Sequence, residues 1–240
     1  MIAASRPGYG GSTRLVGREI ADVVPDTEAV LDAIGADRCL VAGWSGRGSH
    51  TLACEARLDA TAAVLVFAGV APDRAEGLEW LGGMGEENIT EFGAATAGEP
   101  ALRSYLDDVG EHLKETTVAD IIASFSSLLP GVDVAVLTDE FGEDMVANFG
   151  EALRIGIDGW LDDDLAFIKE WGFDLSEIDV PTSVWPGSDD LLVPFAHGRW
   201  LSTHVPGASA HLEQGEGHLS IALGSIDRML DELIEAADVG

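Results

Sequence analysis

The sequence predicts an α/β fold in which a mostly parallel sheet is flanked by helices. Short apolar segments rich in β-branched residues alternate with segments that repeat apolar residues at helical spacing. The chain has 240 residues, of which 46% are hydrophobic, enough to bury one core that carries an inserted segment. The predicted strands lie at Ile2–Ala4, Cys39–Ala42, Ala63–Phe67, Thr182–Trp185 and Ala210–Leu212.

Three helices are predicted between and after these strands. The first covers Asp26–Ile34, with Pro25 in its first turn and Gly35 just beyond its end. A second helix follows Gly43, and a last helix covers Ser225–Ala236.

The middle of the chain has a different pattern from its two ends. It is rich in leucine, aromatic and acidic residues at helical spacing and has few strand-like runs. We therefore predict a core formed by residues 1–72 and 179–240 and a helical cap, or lid, formed by residues 73–178. The acidic run Asp162–Asp164 is interpreted as a solvated face or helix start rather than a metal site. The aromatic residues of this segment line an apolar pocket or pack in its core: Trp80, Phe92, Trp160 and Trp171.

The net charge excludes some classes of partner. The chain has 43 acidic and 13 basic residues, a formal charge of −30, and this field repels nucleic acid and anionic membrane surfaces. Only two of the basic residues are lysines, a composition that resembles proteins of salt-accumulating microbes and indicates a halophilic protein. The alternative is an ordinary acidic, soluble enzyme.

The cysteine content and the hydropathy pattern favour a cytoplasmic protein. Cys39 and Cys54 are too few for a disulfide scaffold, and a reducing cytosol is the expected compartment. The longest strongly apolar stretch, Ala62–Pro72, is far shorter than the ~20 residues of a membrane-spanning helix. The chain opens without the basic and apolar pattern of a secretion signal.

The most informative motif is Gly-Trp-Ser-Gly at 43–46, which lies between a predicted strand and a predicted helix. This context favours a nucleophile elbow that exposes the hydroxyl of Ser45 at the sheet edge. The Gly46 N–H at the helix start is the candidate oxyanion donor, and Trp44 is a candidate substrate-binding residue. A phosphate-binding loop is disfavoured because Ser49 and His50 stand where Lys and Ser or Thr are required. An ordinary tight turn is the other alternative.

A candidate base and a candidate orienting acid follow the serine in the chain. Asp190 follows the strand at Thr182–Trp185, and His218 lies in a glycine-rich loop after the last predicted strand. The order serine, acid, histidine is that of one known catalytic triad. Asp189 competes for the acid role, and three histidines compete for the base role: His197, His204 and His211.

Four motifs together resemble the α/β-hydrolase superfamily: Arg-Pro-Gly-Tyr-Gly-Gly-Ser at 6–12, the elbow, Gly-x-x-Asp-x-x-Val-Pro at 187–194 and Gly-His-Leu at 217–219. The resemblance implies hydrolysis of an ester-like small molecule by Ser45, His218 and Asp190, with no metal or organic cofactor. Thioester or carbon–carbon hydrolysis is an alternative within the same fold. A catalytically impaired binding protein is an alternative from another class.

The sequence departs from the family pattern at two places, and each departure leads to an expectation about the structure. Arg47 stands where the motif has a second glycine, so its side chain points away from the strand–helix contact or pairs with an acidic residue of the cap. The family pattern also places three strands and a helix, with a second oxyanion donor, before the loop at residue 6. A start later than the natural one is therefore expected, and a homodimer joined at the open sheet edge is one alternative arrangement.

We expect the protein to lose secondary structure when salt is removed and to regain it in molar KCl, because its charge of −30 repels itself. Salt at 1 M shortens the screening length to about 3 Å. Circular dichroism against KCl concentration measures the effect. A melting temperature that stays constant between about 0.1 and 3 M KCl would contradict the halophilic interpretation.

Overall fold

A parallel four-stranded sheet forms the centre of the molecule. The computed structural model describes residues 1–114 and 116–238 and, of residue 139, only the backbone. The strands β1 (Cys39–Trp44), β2 (Thr61–Phe67), β3 (Thr182–Trp185) and β4 (Ser209–Ala210) lie side by side in that order. Every pair is parallel, so the carboxyl ends of all four strands meet at one edge of the sheet. The predicted fold class is confirmed.

Helices pack on both faces of this sheet. One face carries α1 (Val23–Ile34), α2 (Arg47–Arg57) and α9 (Phe195–His204), which share a core with residues of β2 and β3. The other face is covered by α10 (Ser220–Asp238), whose Met229 packs under Leu65 and Trp185. All seven residues of β2 are buried, as expected for a strand with neighbours on both sides and helices above and below.

The segment between β2 and β3 is helical in the part that the structure describes. It contains α3 (Glu86–Ala97), α4 (Glu99–Leu113), α5 (Val118–Ser124), α6 (Gly131–Val136), α7 (Asp139–Ala152) and α8 (Asp158–Phe167). Leucines of α4 and α8 form a separate apolar cluster with Ala95 and Ile157. The division into a core and a cap with the boundaries given above stays a prediction.

The predicted elements match the structure except for the first predicted strand and the bounds of the last. The predicted strand at Ile2–Ala4 is wrong: these residues are exposed and pair with no strand among the described residues. A three-residue segment forms a strand only where a neighbour supplies hydrogen bonds. The last strand is shorter and earlier than predicted, at Ser209–Ala210, and a single parallel bridge between Gly187 and Glu213 follows it.

The strand β1 lies at the edge of the sheet. Its side chains alternate between half-buried and exposed, and Leu40 is 38% exposed.

No helix among the described residues is long and apolar enough to cross a membrane.

The interpretation of Asp162–Asp164 as a solvated face is wrong, since all three residues are buried in α8. Asp163 accepts hydrogen bonds from Arg6, Arg18 and the Tyr9 hydroxyl, the last at 2.8 Å. Asp162 binds Arg14 in a bidentate pair at 2.7 and 2.8 Å. The acidic run therefore joins the loop at residues 6–18 to helix α8.

The charges around Asp163 compensate its burial. Burial by itself raises the pKa of the Asp163 carboxyl, but the neighbouring guanidinium groups of Arg6 and Arg18 outweigh it and hold the pKa well below its usual range. His50 stays neutral, because burial lowers its pKa to about 4. The Asp163 carboxyl thus stays ionised to a lower pH than an exposed aspartate does.

We expect Asp163→Asn to destabilise the fold by about 3–5 kcal/mol, because two buried guanidinium groups lose their carboxylate. A carboxyl with a depressed pKa stabilises the fold above its unfolded pKa, here near 3.8, and this contribution shrinks as the pH falls below that value. Urea unfolding of both proteins at pH 7 and at a pH below 3.8 measures the difference. Glu170→Gln, which removes an exposed ion pair with Arg74, is the control and should change stability by less than about 1 kcal/mol. An equal effect of the two substitutions would contradict the role of Asp163.

Candidate active site

The turn after β1 holds Ser45 in a strained backbone conformation, which the surrounding structure stabilises. Its φ is +60°, in the left-handed region, which costs a non-glycine residue about 1–3 kcal/mol. The Ser45 N–H donates to the Phe67 carbonyl at the end of β2, and the Ser45 carbonyl accepts from Gly48. The chain therefore turns sharply from strand to helix, with Ser45 at its tip.

Glycines beside Ser45 are required by close contacts. A Cβ on Gly43 would lie 2.5 Å from the Arg47 carbonyl oxygen, and one on Gly46 would lie 2.5 Å from the Phe167 ring. The Gly46 N–H precedes the first turn of α2 and forms no hydrogen bond with a described residue. It is available to a negative charge that develops on an atom bound to Ser45.

The structure brings Asp190 and His218 together. Asp190 Oδ2 lies 2.7 Å from His218 Nδ1, and each residue is 3% exposed. The other oxygen, Oδ1, accepts the backbone N–H groups of Leu192 and Val193, both at 2.8 Å. The carboxylate is thus fixed in place and holds the imidazole with Nε2 free to act on a substrate.

The competing acid and base candidates lie elsewhere. Asp189 is exposed and accepts a hydrogen bond from its neighbour Ser188. His197 is buried between the Ala71 N–H and the Trp80 carbonyl, and burial lowers its pKa to about 4. The remaining two histidines have other partners: His204 lies against the Trp200 carbonyl and His211 against Glu232.

Trp44 makes two contacts with His218. The two rings stack at 5.4 Å between centroids, and the indole N–H donates to the His218 carbonyl at 3.1 Å. Trp44 thus supports the loop that presents the imidazole.

Sequence analysis missed Asp133, which lies in the helix α6 of the middle segment. Its carboxylate is fully buried and accepts three backbone N–H groups, those of His218, Leu219 and Ser220, at 2.8 to 3.0 Å. A Cβ on Gly217 would lie 2.4 Å from this carboxylate. A lone aspartate in a helical segment gives no local sign of such a contact, because its partners are 85 to 87 residues away.

Ser45 and His218 open on one cavity of about 740 Å³. Such a volume is typical of small-molecule sites. The segment between β2 and β3 supplies most of the lining, which includes Phe92 and Trp160 among the predicted aromatic residues. Trp80 and Trp171 instead pack in the core. No hydrogen bond joins the Ser45 hydroxyl to His218 within the described structure, and such bonds often tighten only when substrate is bound.

Two buried carboxyl groups, Glu91 and Asp164, also line the cavity. Burial raises the pKa of both groups, and the proximity of Glu91 raises that of Asp164 further. Trp160 donates its indole N–H to Glu91 at 2.7 Å. The two carboxyl groups therefore keep a proton to a higher pH than an isolated, exposed carboxyl group would.

Arg47 lies in the first turn of α2 and lines the same cavity. No carboxylate of the described residues lies within 4.0 Å of its guanidinium. The expected ion pair between Arg47 and an acidic residue of the predicted cap is therefore absent from the described residues.

Solved structures show what this architecture is similar to. The chain superposes on the bromoperoxidase from Bacillus anthracis with a TM-score of 0.66 and 18% identity, over 98% of this chain and 80% of that one. For the esterase RhEst1 from Rhodococcus sp. ECU1013 the TM-score is 0.62 at 20% identity, over 98% and 78%. A thermophilic esterase from Thermogutta terrifontis matches with a TM-score of 0.65 at 15% identity, over 96% and 77%.

The chain has the α/β-hydrolase fold. No protein-family model and no curated protein matches the sequence itself. Within this fold, the elbow after β1, the loop after β3 and the loop after β4 lie at the carboxyl edge of the sheet, where parallel α/β sheets bind their ligands. A strained serine, a buried aspartate–histidine pair and an unoccupied backbone N–H at such an edge suit nucleophilic attack on a carbonyl carbon.

Proposed function

We propose that this protein is a serine hydrolase that cleaves an ester-like small molecule with Ser45 as nucleophile, His218 as base and Asp190 as the acid that orients the imidazole. The contact that carries the proposal is the buried 2.7 Å pair between Asp190 and His218, which opens on the same cavity as Ser45. Solved structures of the same fold that are described as an esterase or a hydrolase support it.

The first half of the reaction forms an acyl-enzyme. His218 Nε2 takes the proton of the Ser45 hydroxyl while the oxygen attacks the ester carbonyl carbon. The Asp190 carboxylate stabilises the imidazolium that forms, and the Gly46 N–H donates to the oxyanion of the tetrahedral intermediate. When the intermediate collapses, His218 returns the proton to the departing alcohol.

The second half of the reaction hydrolyses the acyl-enzyme and releases the carboxylic acid product. A water molecule gives its proton to His218 and attacks the acyl carbonyl carbon, and the new intermediate expels the Ser45 oxygen. His218 then reprotonates the serine. The apolar side chains of the cavity, among them Phe92, Phe125 and Leu129, suit a substrate with a hydrophobic part.

Ser45→Ala should abolish covalent labelling by a fluorophosphonate probe and leave the melting temperature close to that of the wild type, because the probe reacts only with an activated serine. Labelling is followed by gel fluorescence and located by peptide mass spectrometry. Ser104→Ala, on the exposed surface of α4, is the matched control and should label normally. Labelling that persists in Ser45→Ala would sink the assignment of the nucleophile. A wild type that never labels would favour a binding protein.

Asp190→Asn should cost far more ester hydrolysis than Asp189→Asn, because an amide at position 190 leaves the imidazole in the wrong tautomer. A comparable replacement lowers kcat by about 10⁴ in a serine protease. Asp189 is exposed and one residue away, so it is a matched control for the same chemical change. Initial rates of hydrolysis of a neutral ester measure the activity of both variants. Equal losses, or a larger loss at position 189, would reverse the assignment.

A further inference from the structure

Arg47 stands out among the basic residues because it lacks a partner. Eleven of the 13 basic side chains form an ion pair or donate to a carbonyl within the described residues, whereas Arg47 and Arg199 do neither. Both side chains are exposed, but Arg199 lies on α9 and does not line the cavity. Arg47 does line it, two residues after Ser45. In a chain with 43 acidic residues, an unpaired arginine in the cavity of the reactive serine calls for an explanation.

The surroundings of Arg47 leave a positive charge uncompensated. Asp163 is the nearby carboxylate that attracts it, and this carboxylate is already bound by Arg6, Arg18 and Tyr9. Partial burial and the charge of Arg6 both lower the pKa of Arg47, yet a guanidinium stays protonated in proteins. Three guanidinium groups thus share one ionised carboxylate at this side of the cavity.

The other acids of the cavity do not supply the missing charge. Glu91 and Asp164 interact with each other rather than with Arg47, since the proximity of Glu91 raises the pKa of Asp164, and Glu151 pairs with Arg154 at 3.1 Å. Asp144 lines the cavity from α7 but lies more than 4.0 Å from Arg47. No carboxylate of the described cavity wall therefore neutralises the exposed guanidinium of Arg47, which is left to solvent or to a charged ligand that enters the cavity.

We propose that Arg47 binds a carboxylate of the substrate, so that the preferred substrates are esters that carry a carboxylate close to the scissile carbonyl. This inference rests on the proposed serine hydrolysis. A planar guanidinium matches a carboxylate in a two-bond, fork-like contact, and the start of α2 adds a favourable dipole for an anion.

A carboxylate fits this cavity better than a phosphate. One uncompensated side chain balances one negative charge, and the field of a protein with a charge of −30 disfavours more highly charged anions. The apolar lining supplied by residues such as Phe125 and Leu129 accommodates the carbon chain that joins the two ends of the substrate.

The experiment compares matched esters with and without a charge. Monoethyl succinate, glutarate and adipate place the carboxylate on the acyl side and are compared with ethyl esters of alkanoic acids of equal length. O-acetyl glycolate places it on the alcohol side and is compared with ethyl acetate. Acid release in a pH-stat at one fixed KCl concentration gives kcat/KM for the wild type, Arg47→Gln, Arg47→Lys and Arg199→Gln.

The wild type should prefer at least one charged ester over its neutral match by about 10- to 100-fold, the usual range for a charge-assisted contact. Arg47→Gln should remove most of this ratio, Arg47→Lys should retain part of it, and Arg199→Gln should keep all of it. A wild type that hydrolyses the neutral esters without any preference, or a ratio that survives in Arg47→Gln, would overturn the inference alone. Failure to hydrolyse any ester of the panel would count against the proposed function instead.

Discussion

The carboxylate of Asp163 is the contact on which the site depends most. Buried in α8, it binds Arg6, Arg18 and Tyr9 and so holds the loop at residues 6–18 against the helical segment. Arg6 and Tyr9 belong to the wall of the cavity, as does Asp163 itself. Because this one carboxylate satisfies two guanidinium groups, none of its charge is left for Arg47. The same contact thus shapes the cavity and sets its polarity.

The serine and the histidine are held by different means. Ser45 is held by crowding: its φ of +60° persists because Gly43 and Gly46 let α2 and Phe167 approach the turn. His218 is held by two buried carboxylates, Asp190 on its ring and Asp133 on its backbone N–H. Asp133 comes from α6, so the helical segment between β2 and β3 takes part in placing the imidazole as well as in lining the cavity.

Acidic residues in this chain have two separate roles. Many lie on the surface and account for most of the net charge, which is a property of solubility and salt response rather than of fold. A smaller set is buried, namely Glu55, Glu91, Asp133, Asp162, Asp163, Asp164 and Asp190. Composition alone does not separate the two sets, because burial depends on which basic or N–H groups the fold brings to each carboxylate.

Local patterns were sufficient to predict β1 to β3 and the helices α1, α2 and α10. They also singled out Ser45, Asp190 and His218, whose catalytic roles stay a prediction. Each of these is specified by neighbours within a few residues, such as Gly43 and Gly46 around the turn. Asp133, the burial of Asp162–Asp164 and the failure of Ile2–Ala4 to form a strand depended instead on contacts with distant parts of the chain, or on their absence among the described residues. A carboxylate or a strand edge acquires its role only from the group placed opposite it, and that placement is made by tertiary structure.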